Sequence, residues 1–239
     1  MTARYGIYFA PRPSTTLWSK ASAWLGRDAE TGLSLDRPAL QGLDDLDLDA
    51  ITADPRGYGF HATLKAPFEL APGCDEARLL AETHRLSGQI DSFSASIAPA
   101  ALGPFLAFQI LEPSPEMYAL HCLAVCTLDA LRAPSSDDDL ARRRKAGLTP
   151  DQDARLLAWG YPYVYQDFRF HMTLTGRIKD DGIRAQVLAV LQTHFAAESG
   201  PTRFDNVAIF KQPDRASPFT ILARFDFADQ TATASVGGD

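Results

Sequence analysis

The sequence predicts an α+β fold of two pseudo-symmetric lobes, whose mostly antiparallel sheets face a central cleft and carry the helices on the outside. Strand-like and helix-like segments are mixed without the regular alternation of a parallel doubly wound sheet. One phrase occurs twice, as FHATL at 60–64 and as FHMTL at 170–174. A helical pattern and further strand-like segments follow each copy. Each half of the chain therefore offers strand, helix, strand and strand.

The length and composition fit one bilobal domain with a sizeable core. The chain has 239 residues, of which 46% are hydrophobic and 22% charged, values typical of a globular protein. We expect the whole of 1–239 to form that domain. Its predicted parts are lobe one at 1–112, a bridging helical and basic segment at 113–159, lobe two at 160–227 and a frayed tail at 228–239.

The elements of the first half are predicted from residue type and periodicity. Aromatic and β-branched runs ended by proline or glycine predict strands, and apolar residues at helical spacing predict helices. The predicted elements are a strand at 4–10, a helix at 14–25, a strand at 60–70, a helix at 75–87, and strands at 93–97 and 105–111. Between them, the pattern weakens over 27–59. Its acidic stretch 43–49 predicts irregular chain or a short helix.

Capping signals define the second half. Ser114, Pro115 and Glu116 are typical of a helix start, because they supply a cap, a fixed first turn and an acid facing the helix dipole. Thr149 and Gln152 have the spacing of a capping box. The predicted elements are a helix at 115–131, a polar acidic break at 135–139, a helix at 149–160, a strand at 168–175, a helix at 181–195, and strands at 204–210 and 219–227.

The duplicated phrase predicts an acid/base pair. Alternate residues of a strand share a face, so His61 lies beside Thr63 and His171 beside Thr173. Across a cleft, one neutral imidazole can take a proton from water or a ribose hydroxyl while the other, protonated, gives one to a leaving oxygen. The threonine hydroxyls can donate to phosphate oxygens. The alternative is a pair of half-buried structural histidines, since a single His-x-Thr in a strand is common.

The motifs also resemble a known superfamily. GFHATLKAPFEL and FRFHMTLTG resemble the paired motifs of the two-histidine (2H) phosphoesterases, which include cyclic-nucleotide phosphodiesterases and bacterial RNA-ligase-like proteins. RYGIYFAP and RRRKAGLTPDQDARLLAWGYPYV are similar to a branch associated with phosphonate-utilisation operons. The resemblance implies a bilobal fold, catalytic roles for His61 and His171, and phosphate contacts from Thr63 and Thr173. The long basic insert departs from the RNA-processing members, so their substrates are not carried over.

Six further side chains are candidates for substrate binding, each with a structural alternative. Alternation along the strands predicts that two of them face the cleft, and a basic run is predicted to fold over it. Aromatic side chains can stack on a sugar or base. The alternatives are core packing for the tyrosines and solvated charge for the basic residues. The candidates are Tyr8, Lys65, Arg142, Arg143, Arg144 and Tyr163.

Composition and motifs disfavour several classes of partner and cofactor. The net charge of −7 disfavours a protein that grips long nucleic acid, so no DNA partner is expected. No phosphate-binding or dinucleotide glycine motif occurs, and no histidine or cysteine spacing indicates a metal, so no cofactor is expected. Residues 1–11 lack a signal-peptide pattern and no apolar run approaches the ~20 residues of a membrane span. We expect a cytoplasmic protein without a membrane partner.

The first functional hypothesis is a metal-independent phosphodiesterase that opens a small cyclic phosphate or cleaves a short phosphodiester. The resemblance suggests a ribosyl cyclic phosphate or a related intermediate of phosphonate metabolism as its substrate. One alternative is an RNA 2′,3′-cyclic phosphodiesterase or 2′-5′ ligase-like enzyme, which would bind RNA ends. The other is a non-catalytic module that binds a phosphorylated metabolite or an RNA end. Either histidine can be the acid or the base.

Overall fold

A computed structural model describes residues 3–228, so most of the predicted tail lies outside the described residues. The strands are β1 (Arg4–Phe9), β2 (Ala62–Phe68), β3 (Phe93–Leu102), β4 (Phe105–Ile110), β5 (Met172–Thr173), β6 (Gly200–Phe204), β7 (Asn206–Gln212) and β8 (Thr220–Asp226). The helices are α1 (Thr16–Leu25), α2 (Leu48–Tyr58), α3 (Glu76–Ser87), α4 (Pro115–Leu128), α5 (Asp137–Arg144), α6 (Pro150–Trp159) and α7 (Asp181–His194). The predicted α+β class with antiparallel pairing is confirmed.

The described strands form one eight-stranded sheet in the order β6-β3-β4-β5-β2-β1-β7-β8. Each adjacent pair in it is antiparallel. The two motif strands, β2 and β5, are neighbours at its centre. The predicted lobes 1–112 and 160–227 are each divided between the two halves of the sheet, because β3 and β4 lie beside β5 whereas β7 and β8 lie beside β1.

The second motif forms a much shorter strand than the predicted 168–175. Only Met172 and Thr173 are in β5. Beyond them the Thr175 hydroxyl, rather than a backbone carbonyl, accepts the N–H of Leu106 at 2.9 Å. The N–H of Gly176 then donates to the carbonyl of Ile51 in α2 at 2.6 Å. The regular ladder therefore ends where a side chain replaces the backbone as hydrogen-bond partner.

Two helices lie where the sequence pattern predicted little. Helix α2 is capped by Asp47, whose side chain accepts the N–H of Ala50 at 3.0 Å, and Pro55 within it obscures the helical pattern. Helix α5 begins after Ser136, so the predicted polar break at 135–139 is the start of a helix. Its first turn is acidic and its last turn is basic, which complements the helix dipole. The predicted basic run is therefore the end of this helix.

The core lies on both sides of β1. Ile7 and Phe9 pack into the larger apolar cluster, which α3 and α4 also line, whereas Tyr8 packs into a smaller cluster with Phe210 and Phe219. Alternation along β1 produces this division, since neighbouring side chains point to opposite faces. None of the helices within residues 3–228 combines the length and apolar character that a membrane crossing requires.

Candidate active site

The four motif side chains meet on neighbouring strands. Ala62 of β2 pairs with Met172 of β5 in an antiparallel ladder. Extending this register by one residue in each direction sets His61 opposite Thr173 and Thr63 opposite His171. Side chains directly opposite each other in such a ladder have Cβ atoms about 5 Å apart. The two His-x-Thr pairs therefore form one cluster, in which each imidazole faces the threonine of the other motif.

The backbone holds both imidazoles in the same way. Nδ1 of His61 lies 2.9 Å from the carbonyl oxygen of Gly59, and Nδ1 of His171 lies 2.8 Å from the carbonyl oxygen of Arg169. A carbonyl only accepts hydrogen bonds, so Nδ1 carries the proton in each ring. Each neutral ring therefore has its Nε2 lone pair available to take a proton. For His61 that Nε2 lies 3.3 Å from the Thr63 hydroxyl.

Burial keeps both imidazoles neutral. It lowers the pKa of His61 to about 4, although the Gly59 carbonyl opposes the shift, and the charge of His171 lowers it further. Burial likewise lowers the pKa of His171, against the effect of the Arg169 carbonyl. The electrostatic effect of one ring on the other reflects their proximity. An anion placed between the rings would reverse these shifts, because an opposite charge nearby favours the protonated form.

Two cavities meet at this cluster. A cavity of about 420 Å³ is lined by Thr63 and His171, and one of about 240 Å³ by His61 and Thr173. Phe105 lines both. The larger cavity is also lined by Gln152, Tyr161, Tyr163, Asp167 and Phe168. A phosphate at the junction would have space on either side, for the group that it carries and for an attacking water.

The ring of Tyr8 packs against one face of the His61 imidazole. The two rings stack with centroids 3.9 Å apart and an interplanar angle of 21°. Tyr8 is fully buried, so it packs against the imidazole. Tyr8 lines neither cavity of the site, so the predicted substrate contact is corrected to its alternative, core packing. The stacking on Tyr8 fixes the plane of the His61 ring, and the Gly59 carbonyl fixes its rotation.

Lys65 does not line the cleft. The register between β1 and β2 shifts between the pairs Tyr8–Thr63 and Ile7–Lys65, which interrupts the alternation that predicted a cleft-facing lysine. The Nζ atom lies 2.7 Å from Oδ1 of Asp129, and the side chain is only 3% exposed. The predicted phosphate contact is therefore corrected to a buried ion pair.

The three arginines of the predicted basic run have different surroundings. Arg142 pairs with Asp139 at 2.6 Å, and Arg144 pairs with Asp153 at 2.6 Å on the exposed surface. Arg143 instead lies over the ring of Tyr161, 4.8 Å from its centroid. The last predicted residue, Tyr163, lines the larger cavity. Of this group, Arg143 and Tyr163 therefore stay candidates for contact with a substrate.

Two aromatic residues at the site were not predicted from the sequence. Tyr58 ends α2 and its ring centroid lies 6.0 Å from that of His61. Phe105 begins β4 and meets His171 edge-on with centroids 5.8 Å apart. A correct prediction of α2 would have drawn attention to Tyr58, because the helix ends directly before the first motif. Phe105 follows only from the pairing of β4 with β5.

His121 has a structural role in forming the larger cavity. Its Nδ1–H donates to the Leu64 carbonyl at 2.8 Å, and its Nε2 accepts the N–H of Tyr165 at 3.0 Å. The ring stacks on Phe168 with centroids 3.9 Å apart. Tyr165 has a φ of 55°, an uncommon value outside glycine. His121 thus holds the segment that leads into the second motif.

We expect His121→Gln to weaken the fold most at neutral pH. Burial lowers the pKa of His121 to about 4, from an ordinary value of about 6.5. Its contribution is therefore fully present above about pH 6.5 and is lost as the pH falls towards 4. Loss of its two hydrogen bonds should lower the free energy of unfolding by about 1–3 kcal/mol at pH 7. Urea unfolding should show this difference shrinking at pH 4.5, and an unchanged difference would contradict the assignment.

No group of three or more histidine, cysteine, aspartate or glutamate side chains is arranged to hold a metal ion within residues 3–228. The site thus consists of two imidazoles and two hydroxyls between two cavities, on an antiparallel α+β frame. That arrangement defines a class of protein with duplicated His-x-Thr strands. The chain belongs to the family described as "Protein of unknown function (DUF1045)", which matches residues 63–220.

Curated relatives share a name that refers to a sugar phosphate. A ribose 1,5-bisphosphate phosphokinase PhnN from Janthinobacterium sp. (strain Marseille) is 35% identical over 238 residues, which cover 98% of this chain and 52% of the relative. A protein of the same name from Laribacter hongkongensis (strain HLHK9) is 35% identical over 219 residues, covering 91% and 50%. The chain thus spans about half the length of the curated relatives it matches.

Solved structures with a similar fold include TT0787 of Thermus thermophilus, with a TM-score of 0.47 and 12% identity. Another is LigT of E. coli complexed with 3′-AMP, with a TM-score of 0.46 and 9% identity. Each alignment covers 95% of this chain and 99% of the other. The case for a function rests on the side chains of this chain.

Proposed function

We propose that this chain is a metal-independent phosphodiesterase that opens small cyclic phosphates with His61 and His171 as acid and base. The observation that carries the proposal is the antiparallel register of Ala62 with Met172, which sets each imidazole opposite the threonine of the other motif. Both rings are fixed through Nδ1 by a backbone carbonyl. Both therefore present Nε2 for proton transfer, the arrangement that general acid–base catalysis needs.

The proposed step is hydrolysis of a cyclic phosphodiester. One imidazole takes a proton from water as the water oxygen bonds to phosphorus. The bond from phosphorus to a ring oxygen breaks, and the other ring, as imidazolium, gives its proton to that oxygen. The product is a phosphomonoester with a free hydroxyl group. The hydroxyls of Thr63 and Thr173 donate to the non-bridging oxygens as negative charge builds on them.

The low pKa values of the two histidines fit this step once a substrate is bound. In the free protein both rings are neutral at pH 7, because burial disfavours their charged forms. A bound phosphodiester anion favours protonation of one of them. The proton taken up with the substrate is then the one that the leaving oxygen receives. The anion thus converts a pair of neutral rings into one base and one acid.

A ribosyl cyclic phosphate is the substrate we favour. Opening a 1,2-cyclic phosphate of ribose 5-phosphate at O2 leaves ribose 1,5-bisphosphate, the compound in the relatives' name. This chain matches about half of each relative and contains no G-x-x-x-x-G-K-[ST] phosphate-binding motif. We therefore propose that this half makes ribose 1,5-bisphosphate and that the phosphokinase activity belongs to the other half. A cyclic phosphodiesterase that supplies the substrate of the phosphokinase would suit a role in phosphonate metabolism.

A substrate screen tests the proposal. The set comprises the 1,2-cyclic phosphate of ribose 5-phosphate, 2′,3′-cyclic nucleotides, and RNA with a 2′,3′-cyclic end, each assayed with and without EDTA. We expect turnover of a small cyclic phosphate that EDTA does not reduce. Turnover of RNA ends alone would favour the RNA-processing alternative. Tight binding without turnover of any substrate would favour a binding module, and loss of activity with EDTA would contradict metal independence.

The pH dependence tests the roles of the imidazoles. With a 2′,3′-cyclic nucleotide, whose diester does not titrate in this range, we expect bell-shaped profiles. Both free-protein pKa values are lowered, so the maximum of kcat/KM should lie below about pH 6.5. Bound anion raises them, so the maximum of kcat should lie at higher pH. A rate that rises steadily from pH 5 to 9 would rule out paired histidines.

A further inference from the structure

A small basic pocket adjoins the candidate active site. It has a volume of about 90 Å³ and lies where β1, the end of β2 and α5 meet. Ala66 lines both this pocket and the larger cavity of the active site. The arginines that line it are Arg4, Arg132, Arg142, Arg143 and Arg215, and the acidic residues are Glu69 and Asp139. The pocket therefore carries more positive than negative charge, in a protein whose net charge is −7.

Three of these arginines are already paired with carboxylates. Asp139 binds Arg142 at 2.6 Å and Arg215 at 2.7 Å. Asp129 binds Arg132 at 2.9 Å. These pairs leave the other two guanidinium groups to account for the excess positive charge of the pocket.

Arg4 and Arg143 lack such a partner. Nε of Arg4 donates to the amide oxygen of Gln212 at 2.8 Å, and Nη2 donates to the same oxygen, which leaves Nη1 for another acceptor. The guanidinium lies 5.7 Å from the centre of the Phe219 ring. Arg143 lies on the ring of Tyr161. Neither guanidinium has a carboxylate partner in the part of the chain that the structure describes. Two positively charged forks are thus held in place by neutral groups, with donors available for an anion.

Both guanidiniums are connected to the catalytic cluster through tyrosines. Tyr161, beneath Arg143, lines the cavity that contains Thr63 and His171. The ring of Tyr8 stacks on His61 and lies over Gly6. Arg4, Gly6 and Tyr8 are alternate residues of β1 and share one face of the strand. Burial raises the pKa of Tyr8, and the charges of Arg4 and Arg143 oppose that shift. The two charges therefore act on a hydroxyl that belongs to the ring beneath His61.

We propose that Arg4 and Arg143 bind a terminal phosphomonoester of the substrate while its cyclic phosphate lies between His61 and His171. This inference rests on the proposed function and defines its substrate class as a cyclic phosphate that carries a second phosphate group. A guanidinium fork matches two phosphate oxygens, and an anion neutralises charge that the protein leaves uncompensated. The separate pocket explains why the site is basic in one place although the whole chain is acidic.

A matched pair of substrates tests the inference. Wild type should use the 1,2-cyclic phosphate of ribose 5-phosphate with a kcat/KM on the order of 10²-fold above that for the 1,2-cyclic phosphate of ribose, because each charge-assisted hydrogen bond adds to binding. In Arg4→Gln and Arg143→Gln this ratio should fall towards one. Arg85→Gln, an exposed arginine paired with Glu82 on α3, is the matched control and should keep the ratio.

The outcomes separate the inference from the proposed function. Equal use of both substrates by wild type, or a ratio unchanged in Arg143→Gln, would overturn the second-phosphate site and leave the phosphodiesterase standing. If neither substrate is turned over, calorimetry with ribose 5-phosphate tests the pocket, and the proposed function fails if 2′,3′-cyclic nucleotides are not turned over either. A Kd raised about tenfold or more by Arg143→Gln supports the pocket, and an unchanged Kd overturns it. Thermal unfolding of each variant shows that it is folded.

Discussion

Replacing either His61 or His171 by alanine is expected to lower kcat on a cyclic phosphate by ~10²–10⁴-fold, the usual contribution of a positioned acid or base. The Kd for an inert cyclic-phosphate analogue should change much less, because the threonine hydroxyls stay in place. In the proposed step, the two rings act on one phosphate. The double variant should therefore be about as slow as either single variant, rather than slower by the product of the two effects.

The matched control is His84→Ala, because His84 is an exposed histidine on α3. Its kcat should equal that of wild type. Single-turnover assays on each variant separate the chemical step from product release. A loss below tenfold in both single variants, or independent losses that multiply in the double variant, would contradict a shared acid/base step.

The substitution Gly6→Ala is expected to damage both stability and catalysis. The ring of Tyr8 lies directly over Gly6, so a Cβ at that position would lie 2.3 Å from Cζ of Tyr8. Tyr8 is fully buried, and protein interiors are closely packed, so moving its ring displaces its neighbours. We expect the free energy of unfolding to fall by about 1–3 kcal/mol, as for other overpacked cores. The displaced ring would no longer support His61, so kcat should fall as well.

A control and a rescue give this prediction its specificity. A methyl group at Gly57 of α2 would meet nothing within 4 Å beyond its chain neighbours and its own helix backbone, so Gly57→Ala should be neutral or slightly stabilising. Combining Gly6→Ala with Tyr8→Leu removes the ring that the new methyl group meets. The double variant should recover stability and stay impaired in kcat, because His61 has lost its stacking partner. Wild-type stability and kcat in Gly6→Ala would contradict the packing described here.

Each His-x-Thr pair could be predicted from the sequence because it depends on local rules. The duplicated phrase, together with the alternation of faces along a strand, already sets His61 beside Thr63 and His171 beside Thr173. The register that pairs Ala62 with Met172 joins distant segments, and no local pattern encodes it. The α+β class followed from the mixed order of elements. The interleaving of the two halves of the chain in one sheet required long-range pairing.

The predictions that differ from the structure have physical causes. Lys65 was predicted on the cleft face from regular alternation, and a register shift in β2 interrupts that alternation. Residues 135–139 read as a break because they are polar, whereas an acidic first turn and a basic last turn stabilise α5 through its dipole. The sequence also does not distinguish the surroundings of the three consecutive arginines. Arg143 rests on an aromatic ring and its two neighbours pair with aspartates.

The most direct test of the central claim is a nitrogen NMR titration of the histidine rings with an inert cyclic-phosphate analogue at pH 7. In the free protein, both His61 and His171 should be neutral with the proton on Nδ1, as their backbone contacts require. At saturation we predict that both Nε2 signals shift, that one of the two rings becomes protonated, and that His84 does not change. A response from only one of the two rings, or from neither, would contradict a shared phosphate.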